Sequence, residues 1–353
     1  MKPILLYALH SGNLYGTERM ALYTLDGLRE DFEPVLFAPA GPALAEAERL
    51  GIRAVPFQNA RQFASRLRPW LAGHERIAFA ATGVMHSLVF SAWNLLYRRR
   101  AVHLHLVHGG ADERESYGRK KRLNGHAVKL VAVSDFVRER LVAHGVNPGQ
   151  ITVVGNFLPD QRIRRAPRRP PFAADGIREV TVVSRVDPIK RIGLLLDALD
   201  GHPDLEDLPV RVFGTGWELE ALRARAQSRH PNVVFEGFSE HVAERLAASD
   251  LLLHLCPVEP FGLALLEAMA AGVPVLAPDR GGAAGLVEDS VSGFHFRADD
   301  ADSLAAALAR LRLAGASELN AVVAAADERL RSRYSSSACL ENYRKLLVEL
   351  SNG

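Results

Sequence analysis

Cysteine is scarce in this chain: Cys256 and Cys339 are the only two in 353 residues. Two thiols so far apart match neither a zinc-ligand spacing nor a disulfide framework. Reduced thiols and a cytoplasmic setting are therefore expected. No run approaches the roughly 20 apolar residues of a membrane-spanning helix. The apolar stretch at 4–9 is too short for a signal-peptide core and lacks a cleavage pattern, so no secretory leader is expected. Excess charge is missing as well: 43 Lys and Arg stand against 41 Asp and Glu, a formal net charge of +2. That balance announces no nucleic-acid partner, and none is expected. There is no internal repeat on the scale of about 20–50 residues. The G-x-G-x-x-G dinucleotide fingerprint is absent after the first strand pattern.

Apolar residues make up 48% of the chain, enough for substantial cores, and the length suits two domains. The positive charge is uneven. Arg98-Arg99-Arg100, Arg119-Lys120-Lys121-Arg122 and the arginines of 162–169 all fall in the first half. Two readings are open: solvated loops, or contact with an anionic membrane surface or a phosphorylated acceptor.

Short apolar runs alternate with helical patterns. In the first half, strands are expected at 4–9, 34–38, 53–57, 77–81, 102–107, 129–133 and 151–154. Helices are expected at 20–28, 43–50, 88–97 and 135–144, the last capped by Ser134. The loop 10–19 holds Gly16 just before a helix, where it would let a phosphate or sugar approach the backbone; a tight turn is the plainer reading. His86 and His108 follow strands, where open sheets place functional residues. Taken singly, each is also an ordinary structural histidine. Residues 160–176 are rich in Arg and Pro and read as linker. A second strand–helix series follows, with strands at 179–184, 210–213, 233–236, 251–255, 274–277 and 294–296. Helices at 303–313, 319–334 and 337–350 close the chain. The expected class is α/β, two open parallel sheets.

In the second half, three strand ends carry the informative residues: Arg185 with Lys190, Gly214 with Gly216, and Glu259 with Glu267. The helical pattern between the two glutamates opens after Pro260. The N–H groups of Phe261, Gly262 and Leu263 at its start would attract a phosphate. Two cations and a helix start suit a pyrophosphate, whose departure they would stabilise in the transition state. A solvated Arg–Lys pair is the alternative. The Asp300-Ala301-Asp302 pair reads as a helix cap and not as a metal site, so no metal and no cofactor are expected.

The segment Glu259-Pro260-Phe261-Gly262-Leu263-Ala264-Leu265-Leu266-Glu267 resembles the Glu-x7-Glu element of family 4 retaining glycosyltransferases of the GT-B fold. Ser184-Arg185-Val186-Asp187-Pro188-Ile189-Lys190 and Gly16-Thr17-Glu18-Arg19 are similar to two further family segments. Val133-Ser134-Asp135 and Val154-Gly155-Asn156 match weaker signposts, all in family order. The resemblance implies two Rossmann-like domains facing each other across a cleft. It divides the chain into an acceptor-binding domain at 1–160, a linker at 161–176, a nucleotide-sugar domain at 177–335, and a helix at 336–353 crossing back to the first.

The same resemblance implies transfer of a sugar from a nucleoside-diphosphate sugar to a hydroxyl of a glycan or lipid-linked acceptor, in cell-envelope glycan, lipopolysaccharide or glycolipid synthesis. Retention and metal independence are implied with it. Arg185 and Lys190 would hold the diphosphate, Glu259 the donor sugar, and Glu267 the ribose. The N–H groups of Phe261, Gly262 and Leu263 would cap the distal phosphate. Gly16 would approach the phosphates from the first domain, and His108 would contact the sugar near the reacting carbon. Gly214 falls in the donor-binding region. Peripheral contact with the inner face of an anionic membrane is an open refinement. Tyr15 stands where the family has a glycine, and Gly285 where it often has a glutamate. These departures keep open a binding protein without transfer activity; a GT-B epimerase or phosphorylase is the other alternative.

Overall fold

A computed structural model describes residues 2–97, 101–110 and 112–352. The basic cluster Arg98-Arg99-Arg100 lies outside the described residues. Two compact units emerge: Met1–Phe157 with Ser336–Gly353, and Leu158–Ser335.

In the first unit the strands are β1 (Ile4–Ala8), β2 (Glu33–Ala38), β3 (Arg53–Pro56), β4 (Ile77–Ala81), β5 (Val102–Val107), β6 (Lys129–Ala132) and β7 (Ile151–Val153). They form one sheet in the order β3-β2-β1-β4-β5-β6-β7. Every pair is parallel, with Leu6 opposite Val35 on one side and Phe79 on the other. Helices cover both faces of such a sheet, so its strands are continuously apolar; every residue of β1 is buried. One face is read directly from alternate residues. Ile4, Leu6 and Ala8, with Val35 and Phe37, meet Phe63, Leu67 and Leu71 in a single core. Phe79 and Phe90 stack there with ring centroids 4.0 Å apart.

Phe63, Leu67 and Leu71 belong to helix Ala60–Gly73, which the sequence pattern did not announce because Pro69 sits inside it. Their four-residue spacing keeps them on one face despite the proline. His86 also moves. It lies within helix Val84–Leu96, where 88 was the expected start, and its ring centroid is 4.7 Å from that of Phe63.

The second unit carries β8 (Val180–Val183), β9 (Val210–Phe213), β10 (Val233–Gly237), β11 (Leu251–Leu253), β12 (Val275–Pro278) and β13 (Phe294–Phe296). Their order is β10-β9-β8-β11-β12-β13, again all parallel. Residues 161–176, read above as linker, are packed into this unit. Helix Asp160–Arg165 buries Ile163, and Phe172 joins the core beneath β8 and β9. Their Arg and Pro content conceals this, because the arginines act as structural partners: Arg169 pairs with Asp250 at 2.6 Å and stacks over Phe172.

The last helix, Ser336–Asn352, belongs to the first unit. Its Arg344 reaches Asp31 at 2.8 Å, and Leu340 fills the space a side chain at Gly27 would need. Among the described residues, no helix is long and apolar enough to cross a membrane.

Candidate active site

Open parallel sheets offer a crevice where the strand order reverses, at the carboxyl ends of the two strands flanking the switch. In the second unit these strands are β8 and β11. The chain leaves β8 through Ser184-Arg185, then forms a short turn at Pro188–Lys190 before helix Ile192–Asp200. It leaves β11 through His254 and Cys256 to Glu259. Lys190 Nζ donates to Glu259 Oε2 at 2.5 Å, with the two side chains only 18% and 16% exposed. Burial disfavours charge on both groups, but each offsets that for the other. Lys190 is held above its ordinary pKa by Glu259, and Glu259 below its own by Lys190. The result is a fixed ion pair at the switch point.

Around it the loop is tied to backbone. Lys190 N–H donates to the Asp187 carbonyl at 2.8 Å. The Asp187 carboxylate accepts from Trp217 N–H at 3.2 Å and pairs with Arg185 at 3.0 Å. Arg185 is 65% exposed, so this pair is weak in water and readily yields to a ligand. His254, which sequence reasoning missed, is buried with its Nε2 at 3.9 Å from Glu259 Oε2. Burial pushes its pKa down to about 4, so it is neutral. In sequence it stood inside the expected strand 251–255; the structure ends that strand at Leu253 and places His254 just past it.

Two glycines set the loop spacing. Gly214 has a φ of +142°, and a Cβ there would fall 1.7 Å from the Ser184 carbonyl oxygen. Gly214 thus acts by letting the β9 loop press against the Arg185 loop. Gly282 was not assigned from sequence. Its N–H donates to the Glu259 carbonyl at 2.6 Å, and a Cβ would lie 2.0 Å from the Pro260 oxygen.

Helix Leu263–Ala271 follows, with Gly262 as its left-handed N-cap. It starts two residues after Phe261, a correction to the expected start. Phe261 is buried edge-on against Tyr334, so its ring serves packing. The first-turn N–H groups without an intrahelical carbonyl are those of Leu263 and Ala264; Leu265 N–H already donates to the Gly262 carbonyl at 3.0 Å. Glu267 stands on the second turn and is partly exposed. The structure therefore brings Arg185, Lys190 and Glu259 together beside a helix start.

Gly16 and His108 belong to the first unit. There the strand order reverses between β1 and β4, and a cavity of about 490 Å³ opens at their carboxyl ends. His108 lines it; Gly16 does not, but its neighbour Thr17 does. Gly16 opens helix Gly16–Gly27, and Tyr15 N–H donates to the buried Glu18 carboxylate at 3.0 Å. His10 Nδ1 lies 2.8 Å from Thr82 Oγ1. His86 Nδ1 and His108 Nε2 are buried without a hydrogen-bond partner. Burial pushes both rings down to about 4, so both are neutral. Lys120 also lines the cavity, and burial pushes its pKa down to about 8.

Asp300 caps helix Ala301–Arg312 by accepting from Ser303 N–H at 2.8 Å, and Asp299 pairs with Arg191 and Arg280. These acids have structural partners.

Residues 15–162 match the family described as Glycosyltransferase Family 4, and residues 164–327 the one described as Glycosyl transferases group 1. A GDP-mannose-dependent alpha-mannosyltransferase of Mycobacterium tuberculosis is 31% identical over 179 residues, 49% of this chain and 45% of that protein. A D-inositol 3-phosphate glycosyltransferase of Rhodococcus erythropolis is 29% identical over 247 residues, 64% of this chain and 55% of that protein. The chain thus spans about half the length of the curated relatives it matches. Anabaena HepE, solved in complex with UDP, superposes with a TM-score of 0.81 at 20% identity, covering 99% of this chain and 100% of that one. That likeness, with the two parallel sheets, shows the GT-B fold class. Since consecutive halves of its sequence match the two families in turn, the chain belongs to the group 1, family 4 glycosyltransferases.

Proposed function

We propose that this chain moves a sugar from a nucleoside-diphosphate sugar to an acceptor hydroxyl, with retention at the anomeric carbon and without a metal ion. The observation that carries the reading is the Lys190–Glu259 pair at the switch point of the second sheet, beside a helix start. Lys190 has three donors and gives one to Glu259 Oε2, leaving two for phosphate oxygens. Arg185 can exchange its surface pair with Asp187 for a forked contact to the same phosphates. The N–H groups of Leu263 and Ala264 receive the distal phosphate. Glu259 Oε1 accepts from a hydroxyl of the donor sugar, and Glu267 takes the ribose hydroxyls. Gly16 is assigned to the donor phosphates and His108, with its unpartnered Nε2, to the reacting sugar.

As the bond from the anomeric carbon to the phosphate oxygen breaks, negative charge grows on the diphosphate. Lys190 and Arg185 stabilise that charge more in the transition state than in the ground state. The acceptor oxygen bonds to the same face of the carbon, and its proton passes to the departing phosphate oxygen. The structural employment of Asp299 and Asp300 supports metal-independent chemistry. The acceptor is assigned as a glycan or lipid-linked hydroxyl compound, in keeping with a curated relative named phosphatidyl-myo-inositol mannosyltransferase. The reading is tested by incubating the protein with UDP-, GDP- and ADP-sugars and following release of the nucleoside diphosphate. Release from at least one donor is expected. Tight nucleotide binding with no turnover on any donor or acceptor would leave a binding protein instead.

A further inference from the structure

Three residues other than glycine take a left-handed backbone among the described residues: Arg191 at φ +57°, Ser290 at +60° and Asp299 at +60°. Aspartate tolerates this region; arginine rarely enters it. Two of the three are also bonded to each other: Arg191 Nε donates to Asp299 Oδ1 at 3.0 Å. The pair is open to water, with side chains 51% and 42% exposed, so it adds little to stability. A strained backbone kept for a pair that stabilises little points to a function for the pair.

Its place in the sheet supplies one. Arg191 directly follows Lys190. Asp299 follows β13, and β11 and β12 stand between β8 and β13. The second oxygen of Asp299, Oδ2, accepts from Arg280 Nη2 at 3.1 Å. Arg280 follows β12 and opens the segment Arg280-Gly281-Gly282, which packs on the Glu259 loop. A Cβ at Gly281 would lie 2.7 Å from the Pro257 oxygen and 3.3 Å from Glu259 N, and Gly282 N–H donates to the Glu259 carbonyl at 2.6 Å. One carboxylate thus holds the residue after Lys190 with one oxygen and the segment against Glu259 with the other.

We propose that Asp299 is a positioning residue for the Lys190–Glu259 pair, clasping through Arg191 and Arg280 the loops that carry it. This rests on the transferase reading above, in which that pair holds the donor. The clasp keeps the Lys190 ammonium aligned with the departing diphosphate, where an offset of about 1 Å can cost up to about 100-fold in rate.

The test compares the full wild-type chain with Asp299→Gly, Arg191→Gly, their double variant and Ser290→Gly, on a nucleoside-diphosphate sugar. Glycine takes a left-handed backbone freely, so Tm should stay within about 4 °C of wild type in all of them. Ser290 precedes β13, at the opposite end of that strand from Asp299, and its variant should keep wild-type kinetics. Asp299→Gly and Arg191→Gly should each lose about 10-fold or more in donor kcat/KM. The double variant should match Asp299→Gly, because Arg191 acts through that carboxylate. Asp299→Asn keeps an oxygen to accept from Arg191 and tolerates the same backbone, so it should lose less than Asp299→Gly. Wild-type kcat/KM in Asp299→Gly and Arg191→Gly overturns the proposal. A loss that tracks a lowered Tm, or one that adds up in the double variant, overturns it too. If wild type consumes a donor and any of these outcomes follows, only the clasp fails. If wild type neither binds UDP nor consumes any donor, the transferase reading fails and the clasp with it.

Discussion

Lys190 and Glu259 come from loops after different strands, 69 residues apart in sequence, and meet at 2.5 Å with both side chains largely buried. Separately, each is a single charge near a strand end. Together they form a preorganised pair whose remaining donors and acceptor are assigned to two parts of one proposed ligand.

A buried pair is vulnerable to the loss of one member. Lys190→Met leaves Glu259 buried without its cation and should cost about 3–5 kcal/mol. The Lys190→Met/Glu259→Leu double variant removes both charges and should be more stable than either single change. Denaturant unfolding of the four proteins checks this. A double variant as unstable as the sum of the singles contradicts the pairing.

The two glutamates should separate functionally. Glu259→Gln should lower turnover while nucleotide affinity stays within about 3-fold, because its contact is assigned to the sugar. Glu267→Gln should weaken nucleotide binding by about 10-fold or more, the scale of a lost hydrogen bond to a charged group. UDP and GDP titrations of both variants decide. Equal losses of nucleotide affinity contradict the division.

Gly214 and Gly201 form a matched test of loop spacing. Gly214→Ala places a Cβ against the Ser184 carbonyl at a positive φ, and should cost about 1–3 kcal/mol and raise donor KM. Gly201 has φ −96° and open space around it, so Gly201→Ala should be neutral or slightly stabilising. Thermal unfolding and donor kinetics of both variants are the readouts. Similar behaviour of the two removes the packing argument for Gly214.

Buried neutral histidines give the fold a pH dependence of definite sign. His86, His108 and His254 are pushed down to about 4, and His103 to about 3, by burial. In the unfolded chain they titrate near 6.5. The unfolded state therefore binds more protons between these values. Stability is fully present above about pH 6.5 and is lost as pH falls towards about 4, on the order of 1–2 kcal/mol per histidine by pH 5. Tm should drop between pH 7 and 5, and His254→Gln should show a smaller drop. A flat profile, or an unchanged slope in the variant, contradicts this.

Much of the architecture was legible in the sequence because strands covered on both faces announce themselves as apolar runs. The thirteen strands of the described residues coincide with the expected runs, with β2, β10 and β12 each reaching one residue beyond, and Ser134 caps its helix by accepting from Val137 N–H. Helix Ala60–Gly73 was hidden by Pro69, and the packing of 160–176 by arginines that act as structural partners. For the candidate site, the residues at strand ends were legible by type, but their geometry was not. Local pattern does not reveal that Glu259 meets Lys190, or that His254 lies behind it. The chain direction gave Glu267 its helix, while the left-handed Gly262 delayed the helix start past Phe261. His254, Asp187 and Gly282 carry no periodic signal, because their roles arise from contacts between loops.

The most direct test is donor turnover by wild type and Lys190→Ala. With a nucleoside-diphosphate sugar that wild type consumes, the variant should lose about 10²–10⁴ in kcat/KM, the scale of a transition-state charge contact. Circular dichroism confirming a folded variant accompanies the assay. Turnover by folded Lys190→Ala at the wild-type rate would contradict the assignment of Lys190 to the leaving diphosphate.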